Sequence, residues 1–172
     1  MVLTYLNLEF FMSYEVTKVV IGEKVDFKNP SPEFYEAIGG EEGMKALMYD
    51  FYDIIYDSDI AHFFPQDEEE FEAVKEKNTK FFIQLCGGPK VYESETKGMD
   101  LNEYMIRIHD DFSIYEKSRY EWLGCMEEAL RKVDIEQRIK DDFWAYLESF
   151  SKLTVNTFSD GSVYYAEYNP GQ

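Results

Sequence analysis

The chain has 172 residues, 35 of them acidic and 17 basic, for a formal net charge of -18. That excess of negative charge argues against nucleic acid and against anionic membrane surfaces, whose phosphates would be repelled. A domain of this size buries roughly 68–70% of its unfolded surface and needs neither disulfide nor metal to fold; its two cysteines, Cys86 and Cys125, form no CxxC pair and no zinc spacing.

Residues 1–31 differ from the rest of the chain. The opening "MVLTYLNLEFFMSYEVTK" lacks a basic leading region and carries two glutamates, so it does not read as a signal peptide. "VTKVVIGEKVDF" is β-branched with a central glycine, which suits a short hairpin, an extended arm or a loose extension. Ser31 then offers a helix cap and Pro32 suits a first turn.

Helices are expected from there on. One over about 42–57 carries Met44, Leu47, Met48, Phe51 and Ile55 on one face, and another over about 68–86 carries Phe71, Val74, Asn78, Phe81, Phe82 and Leu85. A short helix near 101–109 carries Leu101, Met105 and Ile108. A long one over 114–132 carries Trp122, Met126 and Ala129, with Val133 just beyond. The last, over 135–158, carries Ile139, Phe143, Tyr146, Leu147, Phe150 and Leu153. Asp67 with Glu70, Asp100 with Glu103, Ser113 with Glu116 and Asp134 with Gln137 have capping-box spacing. The fold class is all-α, with an N-terminal extension (1–31), a helical domain (32–158) and a C-terminal tail (159–172). No apolar run is long enough to cross a bilayer, and with no signal-peptide pattern the cytoplasm is the expected compartment, where reduced thiols are the default.

Three polar residues sit where apolar ones belong. Asn78 lies four residues after Val74 and three before Phe81. Burying its amide unpaired costs on the order of 1–3 kcal/mol, so a partner is required: backbone, side chain, water or ligand. Tyr52 borders an apolar edge, and its hydroxyl needs a partner if buried. His109, one of two histidines, follows the face of Leu101 and Met105. It suits a hydrogen-bonded core position, a catalytic base or a metal ligand. A lone histidine makes a poor zinc site, but it is enough for haem, whose porphyrin supplies four nitrogens. His62, at the "HFFP" corner, reads as an exposed residue that could swing in as a second ligand.

Six segments in order resemble a known family. "FYEAIGGEEGMKALMYDFYDIIYDS", "FFP" at 63–65, "FFIQLCGGPKVY", "HDDFSI", "YEWLGCMEEAL" and "LTVN" are similar to the motifs of truncated haemoglobins, the two-over-two globins, and of their second group in particular. The resemblance implies a truncated two-over-two helical sandwich that binds haem b, with His109 as the proximal iron ligand. It also implies that Tyr52, Trp122 and Asn78 face a diatomic ligand (O2, NO or CO), that Val74 holds the position where classical globins keep a histidine, and that Phe64 packs on the porphyrin. Phe81, Met105 and Phe112 are expected to line the pocket. Arg107, with Lys77 and Lys80, is expected near the propionates.

Two other classes stand beside that reading. A haem-free globin-fold module for interaction or signalling would have no physical need for His109, Tyr52, Trp122 and Phe64 together. An NO dioxygenase or peroxidase would need a separate reductase or a distal acid–base group. The chain carries no flavin or nicotinamide fingerprint, and only Tyr52 or His62 could serve as the acid or base.

Overall fold

The computed structural model describes residues 13–168 and Pro170. Its helices are α1 (Pro32–Ala37), α2 (Gly40–Tyr56), α3 (Glu68–Leu85), α4 (Glu93–Thr96), α5 (Leu101–His109), α6 (Glu116–Arg131) and α7 (Gln137–Ser151), with 3-10 turns at Ala61–Phe63 and Lys152–Thr154. The helix α2 packs on α3 and on α6, and α6 packs on α7, so one pair of long helices lies over another. Met44, Leu47, Met48, Phe51 and Ile55 of α2 are buried, as their spacing predicts. So are Phe143, Tyr146, Leu147 and Phe150 of α7. Phe34 of α1 stacks on Phe143 with ring centroids 4.0 Å apart, which fixes the first turn of the bundle.

Local signals set several helix ends. Ser31 accepts from Glu33 N ahead of Pro32. Asp67 accepts from Glu70 N, and Asp100 from Asn102 N and Glu103 N; each satisfies backbone donors that the first turn leaves without partners. The helix α2 starts at Gly40, two residues earlier than expected. Gly39 makes this entry with φ +99°, a conformation that costs most side chains dearly. At Gly43 a Cβ would lie 1.7 Å from the Ile38 carbonyl oxygen, so only glycine lets α1 and α2 approach this closely.

Other expected ends are corrected. Neither the Ser113–Glu116 nor the Asp134–Gln137 box forms: α6 starts after Tyr115 and α7 after Glu136, both without a side-chain cap. The last helix ends at Ser151, not 158. A single residue explains two of these shifts. Asn156, 3% exposed, accepts from Ile114 N and donates to Phe112 O and His109 O. Ile114 O in turn accepts from Asn156 N and Thr157 N. These bonds hold 112–114 out of the helix and pull 155–157 out of helical geometry. Glu136 O takes the amides of Ile139 and Lys140, so α7 opens on backbone bonds alone.

Of the three forms open to the extension, residues 13–31 take the extended arm. The arm contains no strand, turns once at Ile21–Gly22, and lies along the bundle. Tyr14 stacks on Trp144, centroids 4.5 Å apart, and Phe27 packs among Tyr146, Phe150 and Tyr168. Along 23–28 the half-buried Val25 and Phe27 alternate with the exposed Lys24, Asp26 and Lys28, the period-two pattern of extended backbone. Residues 1–12 lie outside the described residues.

Candidate functional site

A cavity of about 560 Å³ opens between the helices. Its wall takes Tyr52 from α2, Phe63 and Phe64 from the corner, Val74, Asn78 and Phe81 from α3, Met105, Ile108 and His109 from α5, Phe112 and Ile114 from the following segment, and Trp122 from α6. Most of this wall is aromatic or aliphatic, and its size is that of a cofactor pocket. The helix α5 is amphipathic: Met105 and Ile106 are buried, while Arg107 faces out, as does Asp110 just beyond the helix end.

His109 ends α5 at the cavity wall. Its Nδ1 donates to the Met105 carbonyl at 2.6 Å, within the last turn. The proton therefore sits on Nδ1, and Nε2 keeps an unshared pair. Burial lowers the pKa of the ring below its ordinary value, against the opposing effects of the Met105 carbonyl and Asp110. The imidazole is thus neutral and basic at Nε2, as a metal ligand must be.

A second group of polar atoms comes from α2 and α3. Asn78 Nδ2 donates to the Tyr52 hydroxyl oxygen at 2.6 Å. This is the partner that Asn78 requires, and it leaves the hydroxyl proton of Tyr52 for another acceptor. Burial pushes the Tyr52 pKa far up, so the phenol stays protonated. Phe64 meets the Tyr52 ring edge to face at 5.6 Å. Phe51 links Tyr52, its neighbour, to Trp122, whose ring it meets at 5.5 Å and 89°.

The remaining expected residues divide. Val74, Phe81, Met105 and Phe112 line the cavity, Phe112 with 45% of its surface exposed. Arg107 does not: it is exposed and binds Glu103 at 2.5 Å. Lys80 pairs with Glu76 on the surface. Lys77 does line the cavity, with its ammonium 3.5 Å from Glu95. His62 is exposed, lies outside the cavity lining and binds Asp59 O through Nδ1. Both thiols are buried; burial raises them, Cys86 strongly and Cys125 up to about 12, which leaves them protonated and unreactive.

Sequence reasoning passed over Arg119 and Ser151, which also line the wall, and gave Asn156 no role beyond its place in a motif. The available signal for Arg119 was its place three residues before Trp122, on the same helix face. Asn156 shows its role only in the fold, where it ties the segment after His109 to the end of the chain.

Among the described residues, no group of three or more His, Cys, Asp or Glu could hold a bare metal ion. One imidazole in an apolar cavity fits a metal that arrives with its other ligands, as in a macrocycle. Two pairs of helices crossed around such a cavity, with a single histidine on a short helix, define a globin. The family model for bacterial-like globins matches residues 33–156, and the chain belongs to that family, as a truncated haemoglobin similar to those of group II. The group 2 truncated hemoglobin YjbI of Bacillus subtilis (strain 168) is 32% identical over 124 residues, which are 71% of this chain and 87% of that protein. Among solved structures, phosphate-bound Hell's gate globin IV superposes with a TM-score of 0.73 at 28% identity, covering 85% of this chain and 89% of that one. The group II truncated hemoglobin of Bacillus anthracis superposes with a TM-score of 0.66 at 28% identity, covering 73% and 98%. Membership implies haem as the group the cavity takes. No helix among the described residues is long and apolar enough to cross a membrane.

Proposed function

We propose that the chain binds haem b through His109 and holds O2, NO or CO beside Tyr52, Asn78 and Trp122, for sensing, scavenging or redox chemistry more than for bulk transport. The observation that carries this reading is the single imidazole in the cavity wall, with Nδ1 tied to Met105 O and the Nε2 lone pair unprotonated. When bound, the haem supplies the iron centre at which diatomic ligands are held and electrons are exchanged.

The chain's own residues supply the rest. His109 offers the Nε2 pair, and its bond to Met105 fixes both tautomer and ring orientation. Tyr52 keeps its proton and can donate it toward partial negative charge on a ligand, while Asn78 holds the hydroxyl oxygen in place. Trp122 brings a second donor, its indole N–H, to the same wall. Hydrogen bonds in a dry apolar cavity count for more than in water; each donor is worth about 0.5–1.5 kcal/mol net. Several such donors slow ligand release, which suits retention over transport. The haemoglobin of Bacillus subtilis is described as oxygen-avid, and the same behaviour is proposed here. Phe64, Val74, Phe81, Met105 and Phe112 keep the group dry, and Lys77, which lines the cavity, is the favoured cation for its carboxylates, with Arg107 and Lys80 farther out. The globin unit is taken as 32–158, in the cytoplasm, with any turnover of NO or peroxide drawing electrons from a separate reductase.

The test is the absorption spectrum after reconstitution with haemin, reduction, and exposure to O2 and CO. A stoichiometric Soret band with a stable oxygenated form is expected. His109→Ala should lose stable haem binding, and unchanged stoichiometry in that variant would refute the assignment.

A further inference from the structure

Arg119 has a fully buried side chain in the cavity wall, and its contacts are not those of a ligand-binding cation. Its Nε donates to Ser151 Oγ at 2.9 Å. Nη1 donates to Thr17 O at 3.0 Å and Glu116 Oε1 at 2.7 Å, and Nη2 to Glu148 O at 2.6 Å and Glu148 Oε1 at 3.1 Å. A guanidinium has five N–H donors, and five protein contacts take them up. Arg119 faces two carboxylates and leaves acceptor capacity on both for other donors, with Lys152 a further nearby charge for Glu148. The arm completes the cluster. Thr17 N and Oγ1 donate to Glu148 Oε1 at 3.0 and 2.9 Å, and Val19 N donates to Glu116 Oε2 at 3.1 Å. A few residues back, Ser13 binds Glu127 through its amide at 2.8 Å and through its hydroxyl. Carboxylates on α6 and α7 therefore hold an extended arm that has no strand partner, and Thr17 covers the guanidinium from outside.

We propose that residues 13–19, Glu116, Glu148 and the buried Arg119 form a clasp that seals the α6–α7 side of the cavity and sets how long the cavity keeps its contents. Arg119 is a positioning residue in this device: it spans α6, α7 and the arm and touches the cavity only as wall. Ser151, to which it donates, lines the same wall. Releasing the arm removes its donors from Glu127 Oε1 and Glu116 Oε2, leaves Glu148 Oε1 with Arg119 Nη2 in place of three donors, and frees one Nη1 hydrogen; groups stripped of partners in this way draw in water. The consequence is a wetter, looser wall and faster escape of a bound group. The inference rests on the haem reading for the identity of that group, but not for the clasp itself.

The test uses the full chain with Thr17→Pro, which removes both the amide and the hydroxyl donor, and with Thr17→Val, which removes only the hydroxyl. Thr17→Ser, which keeps both donors, is the rescue. In the haem-free protein, amide hydrogen exchange is expected to rise in Thr17→Pro at residues 13–19 and also at 116–120 and 151–155, less in Thr17→Val, and not in Thr17→Ser. In the haemin-loaded protein, transfer of haemin to a scavenging apoprotein should run about 3- to 10-fold faster in Thr17→Pro, the scale of one or two lost net hydrogen bonds. Faster exchange confined to the arm, with wall exchange and haemin transfer unchanged, would reduce the arm to a passive cover and overturn the proposal. Unchanged arm exchange would overturn it too. If no variant takes up haemin, the haem reading fails while the exchange pattern still decides the clasp.

Discussion

Two polar clusters border the same apolar cavity and are built on opposite principles. The Tyr52–Asn78 pair is neutral and incompletely used: the tyrosine oxygen accepts from the amide, and its proton stays in hand. The Arg119 cluster is charged and spent, its donors committed to Thr17, Glu116, Glu148 and Ser151. A ligand site needs hydrogen-bonding capacity left over; a structural keystone needs none. The contrast separates groups with hydrogen-bonding capacity in reserve from groups that hold the wall.

The largest expected effect falls on the spent cluster. Arg119→Met leaves Glu116 without its cation and Glu148 with Lys152 alone nearby, and should destabilise the fold by about 3–5 kcal/mol, as removal of the buried partner of an ion pair does. Urea unfolding checks this, and a loss below about 1 kcal/mol would place the cluster with ordinary surface pairs. Next comes the cluster with capacity in hand. Tyr52→Phe removes a donor and should speed O2 release about 2- to 13-fold, the equivalent of 0.5–1.5 kcal/mol, with stability changed by less than in Arg119→Met. Stopped-flow mixing reads this directly, and an unchanged rate would remove Tyr52 from the ligand's surroundings.

The smallest effect is one of pH. Burial pushes the Glu148 carboxyl up, but hydrogen bonds from Thr17 and the nearby Arg119 and Lys152 outweigh it, so the group sits below the usual carboxylate range. A carboxylate lowered by folding contributes stability that is fully present above its unfolded value, about 4.3 for glutamate. That contribution fades as pH falls through the folded value. Stability should therefore drop on acidification from about pH 6 to about pH 3 more steeply in the natural chain than in Glu148→Gln. Equal slopes would mean that Thr17, Arg119 and Lys152 together do not outweigh burial in holding Glu148 ionised. Tyr52→Phe should leave this slope unchanged, which keeps the two clusters distinct.

Much of the architecture was legible because it is local. Helical period identified the buried faces of α2, α3 and α7, and the Asp67 and Asp100 caps formed because each bonds an amide two or three residues away. The Ser113 and Asp134 boxes have the same spacing and did not form. At Ser113 a stronger, distant competitor intervened: Asn156 takes Ile114 N from 42 residues along the chain. In the candidate site, Tyr52, Asn78 and His109 were visible as polar residues on apolar faces, an anomaly that burial energetics makes conspicuous. Arg107 lies outside the cavity lining, its guanidinium taken to the solvent side by Glu103, one helical turn back. Arg119 was missed because all its partners but Glu116 lie 29, 32 and 102 residues away.

By itself, the sequence determined the all-helical class, the composition of each apolar face, the buried polar residues that had to find partners, and the kind of metal chemistry one imidazole can support. These follow from periodicity and from the cost of burying polar atoms, both of which act residue by residue. Only the tertiary structure decided that Asn78 meets Tyr52, that Asn156 ties down the segment after His109, and that an arm with no strand partner is held by carboxylates around a buried arginine. Such meetings depend on how elements far apart in the chain pack against one another, and no short-range pattern in the residues encodes them.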